Sequence, residues 1–157
     1  MPMKAHENIL VFYKHSPTYN PIKTYGHKRK ISTAHHKRNT STGDIYAKCD
    51  NFSDYDSTER YPRSVQIFSS DKQKKNLHST QKPVALFEYL IRTYTNEGDI
   101  VLDNVAGSFT TAVSCDNTNR QWICIEKENV FCKIGINRIN DNRCKLGLSN
   151  ISTILTI

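Results

Sequence analysis

The sequence predicts an α/β fold: part of a parallel sheet built on a βαβα unit, preceded by an irregular, partly β insertion. Three observations carry this expectation. After Pro83, short apolar runs (DIVLD, QWICI) alternate with longer segments whose apolar residues recur at helical spacing. A glycine turn, Ala106-Gly107-Ser108, lies between the first run and the segment that follows it, where a strand-to-helix connection is needed. Between His15 and about Leu77 periodicity fades and turn formers crowd in, at Pro17, Asn20-Pro21, Gly26, Gly43 and Pro62.

In chain order, Asn8–Lys14 (NILVFYK) is β-branched and aromatic and reads as a strand. The long irregular stretch after it suits a binding insertion better than a scaffold, with a β-rich patch at Ser64–Phe68 near its end. Pro83–Thr95 opens on a proline and repeats Leu86, Phe87, Leu90, Ile91 and Tyr94, the pattern of an amphipathic helix that Asn96-Glu97-Gly98 ends. Asp99–Asp103 is expected as a short buried strand, Thr110–Asp116 as a helix, Gln121–Ile125 as a second buried strand and Glu128–Ile139 as a second amphipathic helix. Strand, glycine turn, helix, strand and helix at this spacing make parallel strands. The tail, Asp141–Ile157, ends in SNISTILTI and has the composition of a strand without a place in the unit. The organisation expected is therefore a core strand over 1–14, the insertion over 15–76 (basic over 15–43), the α/β unit over 77–140 and a tail over 141–157.

The chain has 157 residues, 37% of them hydrophobic, with eight tyrosines and six phenylalanines, enough to bury a core and too many for a disordered tail. Its apolar runs fall well short of a bilayer span, and MPMKAHEN lacks the apolar stretch of a signal peptide, so a soluble, cytoplasmic protein without membrane contact is expected. Five cysteines with no C-x-x-C spacing argue against a disulfide framework and a zinc ribbon. Four histidines, His15, His27, His35 and His36, lack a ligand set with carboxylates or thiols, so no metal is assigned.

The formal charge of +7 is uneven. Asn8 to Gly43 holds seven bases and no acid, which leaves 15 bases against 15 acids elsewhere. Tyr13, Tyr19 and Tyr25 are interleaved among those bases. Cations neutralise phosphates and aromatic or hydroxyl side chains meet sugars and bases, so a nucleic acid is the partner expected, with Lys23, Lys28, Arg29, Lys30, Lys37, Arg38, Arg60 and Arg63 as candidate contacts. A solvated basic loop is the plainer alternative.

In an open α/β sheet the ligand lies beyond the carboxyl ends of the strands. Asp103 and the Asn104–Ser108 turn fall at the end of the first strand, Glu126 at the end of the second. An acid there can accept from ribose hydroxyls, and a glycine turn lets backbone approach a ligand. Alone, this pattern fits many nucleotide binders, or a plain turn beside a solvated glutamate.

The residues upstream are more specific. Leu77–Pro83 reads LHSTQKP and leads through the helix into VLDNVAGSFTT. The start carries AHENILVFYK and the insertion carries DSTERYPRSV over Asp56–Val65. Together these resemble the DNA methyltransferases of the β motif order, which methylate adenine N6 or cytosine N4, over about Met1 to Ile139. The resemblance implies a partial Rossmann-like methyltransferase sheet and S-adenosylmethionine as cofactor. It places Thr80 and Lys82 near the methionine carboxylate, with His78 and Gln81 shaping that loop. It puts Asp103, Gly107 and Ser108 at the methionine part and Glu126 at the ribose, and makes about Lys14 to Lys75 the target-recognition region.

The pattern also fails in places. The family's chemistry uses a loop with two adjacent prolines and an aromatic residue, and no two of Pro2, Pro17, Pro21, Pro62 and Pro83 are adjacent. No catalytic residue is assigned, and the chain reads as a truncated homologue, inactive alone and DNA-binding. In the cofactor loop Asn104, Val105 and Phe109 depart from the family's D-P-F-x-G-S-G, and they weigh against cofactor binding. Phe109 stands where close approach favours glycine, so its side chain costs space and a positive φ would be strained. The strand over Asp99–Asp103 is left with an open edge, which a second chain, the tail or a rearranged sheet is expected to cover. Three other readings stay open: half of a split enzyme completed by a complementing chain, a protein-interaction module (homo-oligomeric or not), and a remnant without function.

Overall fold

The structure is a computed structural model that describes residues 6–38, 49–70 and 81–151, with the side chains of 34–38 and 49–53 outside the description. The described chain is mixed α/β and divides into two compact units, Pro21–Gln66 and the remainder.

Pro21–Gln66 is built on an antiparallel ribbon of β1 (Lys30–Arg38) and β2 (Cys49–Ser57), in a register that runs from Lys30 opposite Ser57 to Arg38 opposite Cys49. The pairing continues beyond the strands, where Thr24 and Arg60 exchange two backbone hydrogen bonds of 2.9 Å and the His27 N–H donates to the Thr58 carbonyl at 3.1 Å. A two-stranded ribbon is marginal in water, and side-chain ties reinforce this one. The Arg60 guanidinium donates to three backbone carbonyls, Ser57 (3.1 Å), Glu59 (2.6 Å) and Lys28 (2.5 Å), which staples the two sides of the ribbon base.

The larger unit holds α1 (Val84–Tyr94), β3 (Ile100–Asp103), α2 (Thr110–Asn117), β4 (Gln121–Cys124) and α3 (Asn129–Leu146). Strands β3 and β4 pair in parallel, Ile100 opposite Gln121 through Asp103 opposite Cys124, with α2 as the crossover. This is the expected βαβα unit. Pro83 stands immediately before the first turn of α1, where a missing N–H is harmless. At the other end of α1 the Asn20 amide donates to the Thr95 carbonyl at 3.0 Å, and the Asn20 N–H donates to the Thr93 carbonyl at 2.7 Å. Ala106, Phe109, Ala112, Val113 and Ile139 form the core, with Val84, Trp122, Cys124 and Ile151 packed against it.

Four sequence expectations differ from what is found. The strand read over Asn8–Lys14 has no ladder, and Ile9 through Tyr13 are exposed. The patch at Ser64–Phe68 is likewise not a strand. In both, β-branched composition is present but no neighbouring strand among the described residues takes up the backbone N–H and C=O groups. The strands β3 and β4 are buried on one face only: Ile100 (60% exposed), Leu102 (63%), Ile123 (52%) and Ile125 (51%) stand on the open side. Finally, α3 runs to Leu146, two turns past Ile139, and takes up the first part of the expected tail. Gly147 ends it at φ 69°, where the Leu148 N–H donates to the Arg143 carbonyl (2.8 Å) and the Gly147 N–H to the Cys144 carbonyl (3.2 Å), a Schellman cap.

Candidate functional site

The carboxyl ends of β3 and β4 are joined by the turn that follows β3. The Ile125 N–H donates to the Asp103 carbonyl (2.8 Å) and the Ala106 N–H donates to the Ile125 carbonyl (2.9 Å), so the turn folds back over the end of β4. Within this frame each acidic side chain is held by the backbone of the turn or helix beside it. Asp103 Oδ1 accepts from the Val105 N–H at 3.1 Å, and Oδ2 accepts from the Thr111 hydroxyl on the first turn of α2. Glu126 Oε2 accepts from the Gly107 N–H at 2.7 Å, and Oε1 accepts from the Glu128 N–H at 2.9 Å. Each Asp103 carboxylate oxygen can accept a second hydrogen bond, so this acid retains capacity for a ligand. Asp103, Gly107 and Glu126, which the sequence separates by up to 23 positions, are thereby brought to one site. Ser108, the fourth expected member, is buried beneath it.

Two residues of this turn have positive φ, Gly107 (53°) and Phe109 (58°). The strain expected of a phenylalanine at 109 is therefore present, since the left-handed region is unfavourable for bulky side chains. Its steric cost to a ligand is not, and this corrects the expectation. The Phe109 ring is 1% exposed, the largest fully buried side chain among the described residues, and it packs inward against α3. A Cβ at Gly135 of α3 would lie 2.6 Å from Phe109 Cγ and 2.8 Å from Cε2, so the ring occupies the space that this glycine leaves. Val105, in contrast, is exposed, and so is Asn104.

Helix α3 also supplies a residue that sequence reasoning did not single out. Arg138 Nη1 lies 2.9 Å from the Ser108 carbonyl, 3.1 Å from the Ser108 hydroxyl and 2.9 Å from the Thr110 hydroxyl. Its signal in the sequence is slight: it neighbours a face of α3 defined by Cys132, Gly135 and Ile139, and only a glycine in mid-helix hints that something approaches closely there.

The upstream cofactor candidates are only partly described. His78 and Thr80 lie outside the described residues. Gln81 is buried. Lys82 donates to Glu7 Oε2 at 2.5 Å. Val84, two positions on, packs against the core that contains Ala106 and Phe109, which ties this segment to the turn. No cluster of three metal-ligating side chains occurs among the described residues, and no described helix is long and apolar enough to cross a membrane.

The basic candidates of the ribbon unit separate into three groups. Lys23 pairs with Glu59 at 2.8 Å and lies 5.0 Å from the centre of the Tyr61 ring. Arg29 forms a fork with Asp56, with Nε 2.6 Å from Oδ1 and Nη2 on Oδ2. The hydrogen bond from Arg29 holds the Asp56 carboxyl below the usual carboxylate range and raises the guanidinium in turn. Arg60 is engaged by the three carbonyls of the ribbon base. Lys28, Lys30 and Arg63 are exposed, with the Lys30 ammonium 5.9 Å from the centre of the Tyr55 ring. Lys37 and Arg38 belong to β1 by backbone, and their side chains lie outside the description. The sequence reading took this segment as lacking counter-charge. The fold supplies it: β2 carries Asp50, Asp54 and Asp56, and the register sets Lys37 opposite Asp50.

Residues 2–137 match the N6/N4 family of DNA methylases. The chain is 43% identical over 82 residues to the type II methyltransferase M.HindIII of Haemophilus influenzae, covering 51% of this chain and 26% of that one. It is 28% identical over 137 residues to the type II methyltransferase M.HpaI of Haemophilus parainfluenzae, covering 86% of this chain and 38% of that one. Among solved structures, M1.HpyAVI in complex with SAM is 41% identical, with 47% of this chain and 37% of that one covered and a TM-score of 0.45. The chain thus spans well under half the length of these relatives. With the match running from its second residue through the first half of α3, it belongs to the N6/N4 DNA methylase family.

Proposed function

We propose that these residues form the cofactor half and the target-recognition unit of an S-adenosylmethionine-dependent DNA methyltransferase acting on adenine N6 or cytosine N4, and that alone they do not transfer a methyl group. The observation that carries the reading is the convergence of Asp103, Gly107 and Glu126 at the carboxyl ends of two parallel strands. The inward turn of the Phe109 ring supports it, because the residue that departs most from the family pattern leaves the outer side of the turn open. S-adenosylmethionine supplies an electrophilic methyl group. Toward it, Glu126 is placed by resemblance at the ribose hydroxyls, and the Gly107 turn offers backbone approach near Asp103. Lys82 is placed by resemblance at the methionine carboxylate, and that role requires it to exchange Glu7 for the ligand.

The inactivity rests on the sequence. An exocyclic amine is a poor nucleophile because its lone pair is conjugated with the base. The family's Pro-Pro-aromatic loop accepts hydrogen bonds from that amine and stacks on the flipped base, and these 157 residues contain no adjacent prolines. For the DNA contact, Lys28, Lys30 and Arg63 are the bases best placed in the described ribbon unit, together with Lys37 and Arg38 of β1.

Calorimetric titration with S-adenosylmethionine and a labelled-methyl transfer assay on double-stranded DNA test the two halves of the reading. Micromolar binding without transfer is expected. No binding at millimolar cofactor removes the cofactor role, and label incorporated by the chain alone removes the inactivity.

A second reading, in which a separate chain carries the Pro-Pro loop, is favoured by the open apolar face of β3 and β4. Ile100, Leu102, Ile123 and Ile125 are the kind of surface that a further protein layer covers. Transfer that appears only on mixing with an amino-terminal methyltransferase half supports this reading. No gain on mixing counts against it.

A further inference from the structure

We propose that Arg138 is a positioning residue for the cofactor turn: from α3 it fixes Ser108 between the two left-handed residues Gly107 and Phe109, and so sets the aim of the Gly107 N–H and the entry into α2. The part that concerns ligand affinity rests on the cofactor reading above.

The turn has little local support. Its backbone passes through positive φ at Gly107 (53°) and again at Phe109 (58°), with Ser108 between them. A sequence of conformations that local preference disfavours persists only where surrounding contacts over-determine it. Helix α2 provides little of that restraint at this end, because Phe109 stands at its N-cap position with no side-chain cap hydrogen bond. Two contacts from α3 do. The Phe109 ring is seated against Gly135, and one turn further along, Arg138 Nη1 reaches the Ser108 carbonyl (2.9 Å), the Ser108 hydroxyl (3.1 Å) and the Thr110 hydroxyl (2.9 Å). The ring holds the turn from within, and the guanidinium holds the Ser108 carbonyl and the hydroxyls of the residues on either side of Phe109.

The charge of Arg138 is informative. A cation beside the first turn of a helix opposes the helix dipole, so its position is not one that stabilises α2 through electrostatics. Three of its contacts there are with oxygens that share the two N–H groups of Nη1. Those oxygens belong to the residues flanking the strained position. With Ser108 held, the Gly107 N–H stays on Glu126 Oε2 at 2.7 Å, which links the ribose-side acid to α3 through the turn. The device spans 30 residues of sequence, so no local pattern reveals it.

Two variants separate positioning from mere structural support. Arg138→Met keeps the stem and removes the donors, while Arg138→Lys keeps a cation that can reach some of the same oxygens. Backbone amide hydrogen exchange is measured on the full chain without ligand, beside calorimetric titration with S-adenosylmethionine. Faster exchange confined to the 106–110 turn is expected for Arg138→Met, with β3 and α1 unchanged and partial recovery in Arg138→Lys. The dissociation constant for S-adenosylmethionine is expected to rise about tenfold or more in Arg138→Met, the loss of charge-assisted hydrogen bonds expressed as an equilibrium constant. Exchange in the turn that stays at the parent level overturns the proposal. So does a faster turn with unchanged affinity. Exchange that rises throughout the unit assigns Arg138 to general stability and overturns it as well. If the parent chain binds no S-adenosylmethionine, the cofactor reading fails, and the exchange pattern alone decides whether Arg138 shapes the turn.

Discussion

Phe109 and Gly135 act as a pair, and each is explained only by the other. A phenylalanine at φ 58° bears a backbone cost of about 1–3 kcal/mol, which the burial of its ring must exceed. A glycine inside α3 gives up about 1 kcal/mol of helix propensity relative to alanine. Gly135→Ala should therefore destabilise the protein by about 1–3 kcal/mol despite the better propensity, because its Cβ enters the ring. In a Phe109→Ala background the same change should be neutral or stabilising. Urea titrations of the four members of the cycle measure this, and equal effects of Gly135→Ala in both backgrounds would count against the pair. The thiols make a second residue-level case. Burial, reinforced by neighbouring negative charge, pushes Cys115 up to about 11 and Cys124 up to about 12. Neither is a thiolate at neutral pH, whereas Cys144 is exposed. Iodoacetamide at pH 8 should label Cys144 before Cys115, Cys124 and Cys132, as read by mass spectrometry, and equal labelling of Cys115 would contradict this. Because the folded thiols hold their protons more tightly than an ordinary cysteine does, their stabilising contribution is full below the ordinary thiol range and is lost as pH rises through about 11 to 12.

At the level of elements, the ribbon depends on ion pairs between its two sides, whereas the α/β unit is built around an apolar core. Asp56 titrates below the ordinary carboxylate value because of Arg29, so its contribution is full above that ordinary value and is lost as pH falls through the lowered one. The amide chemical shift of Asp56 should therefore hold through the ordinary carboxylate range and move only at lower pH. The pair is exposed, so added salt should bring the change to higher pH; insensitivity to salt would show that another group controls it. The same difference governs what the sequence reveals. The elements α1, β3, α2 and β4 fall within a residue or two of the expected bounds, since each is written in apolar spacing around a proline or glycine. The ribbon was not legible as strands because KISTAHHKR and CDNFSDYDS hold few apolar residues and match each other in charge, a relation between segments and not within one. Asn8–Lys14 erred in the opposite sense, having strand composition without a strand beside it. The end of α3 was misplaced because Asn140, Asp141 and Asn142 suggest a stop, while the actual stop is the Schellman cap at Gly147. In the site, Asp103, Gly107 and Glu126 were legible from their places at strand ends, and Arg138 was not.

Across the whole molecule, the unequal faces of the parallel sheet set how the chain behaves in solution. Trp122 and Cys124 face the core, while the opposite side presents Ile100, Leu102, Ile123 and Ile125. Nothing among the described residues covers that side, so the chain should self-associate as its concentration rises. Ile123→Lys should reduce this, measured by sedimentation velocity at matched concentrations; unchanged association would place the contact elsewhere. The counter-charge carried by β2 has its own thermodynamic effect. A polyanion gains affinity for a protein by releasing condensed counterions, and each released ion steepens the dependence of binding on salt. Where a phosphate meets Arg29 or Lys23, it must first displace a carboxylate fixed to the same chain, which is not set free into solution. The entropy of mixing that ordinarily drives such association is then missing at those positions. The logarithmic salt slope for duplex DNA should correspond to fewer ions than the eight candidate bases suggest, with the missing ions assigned to the tethered aspartate and glutamate.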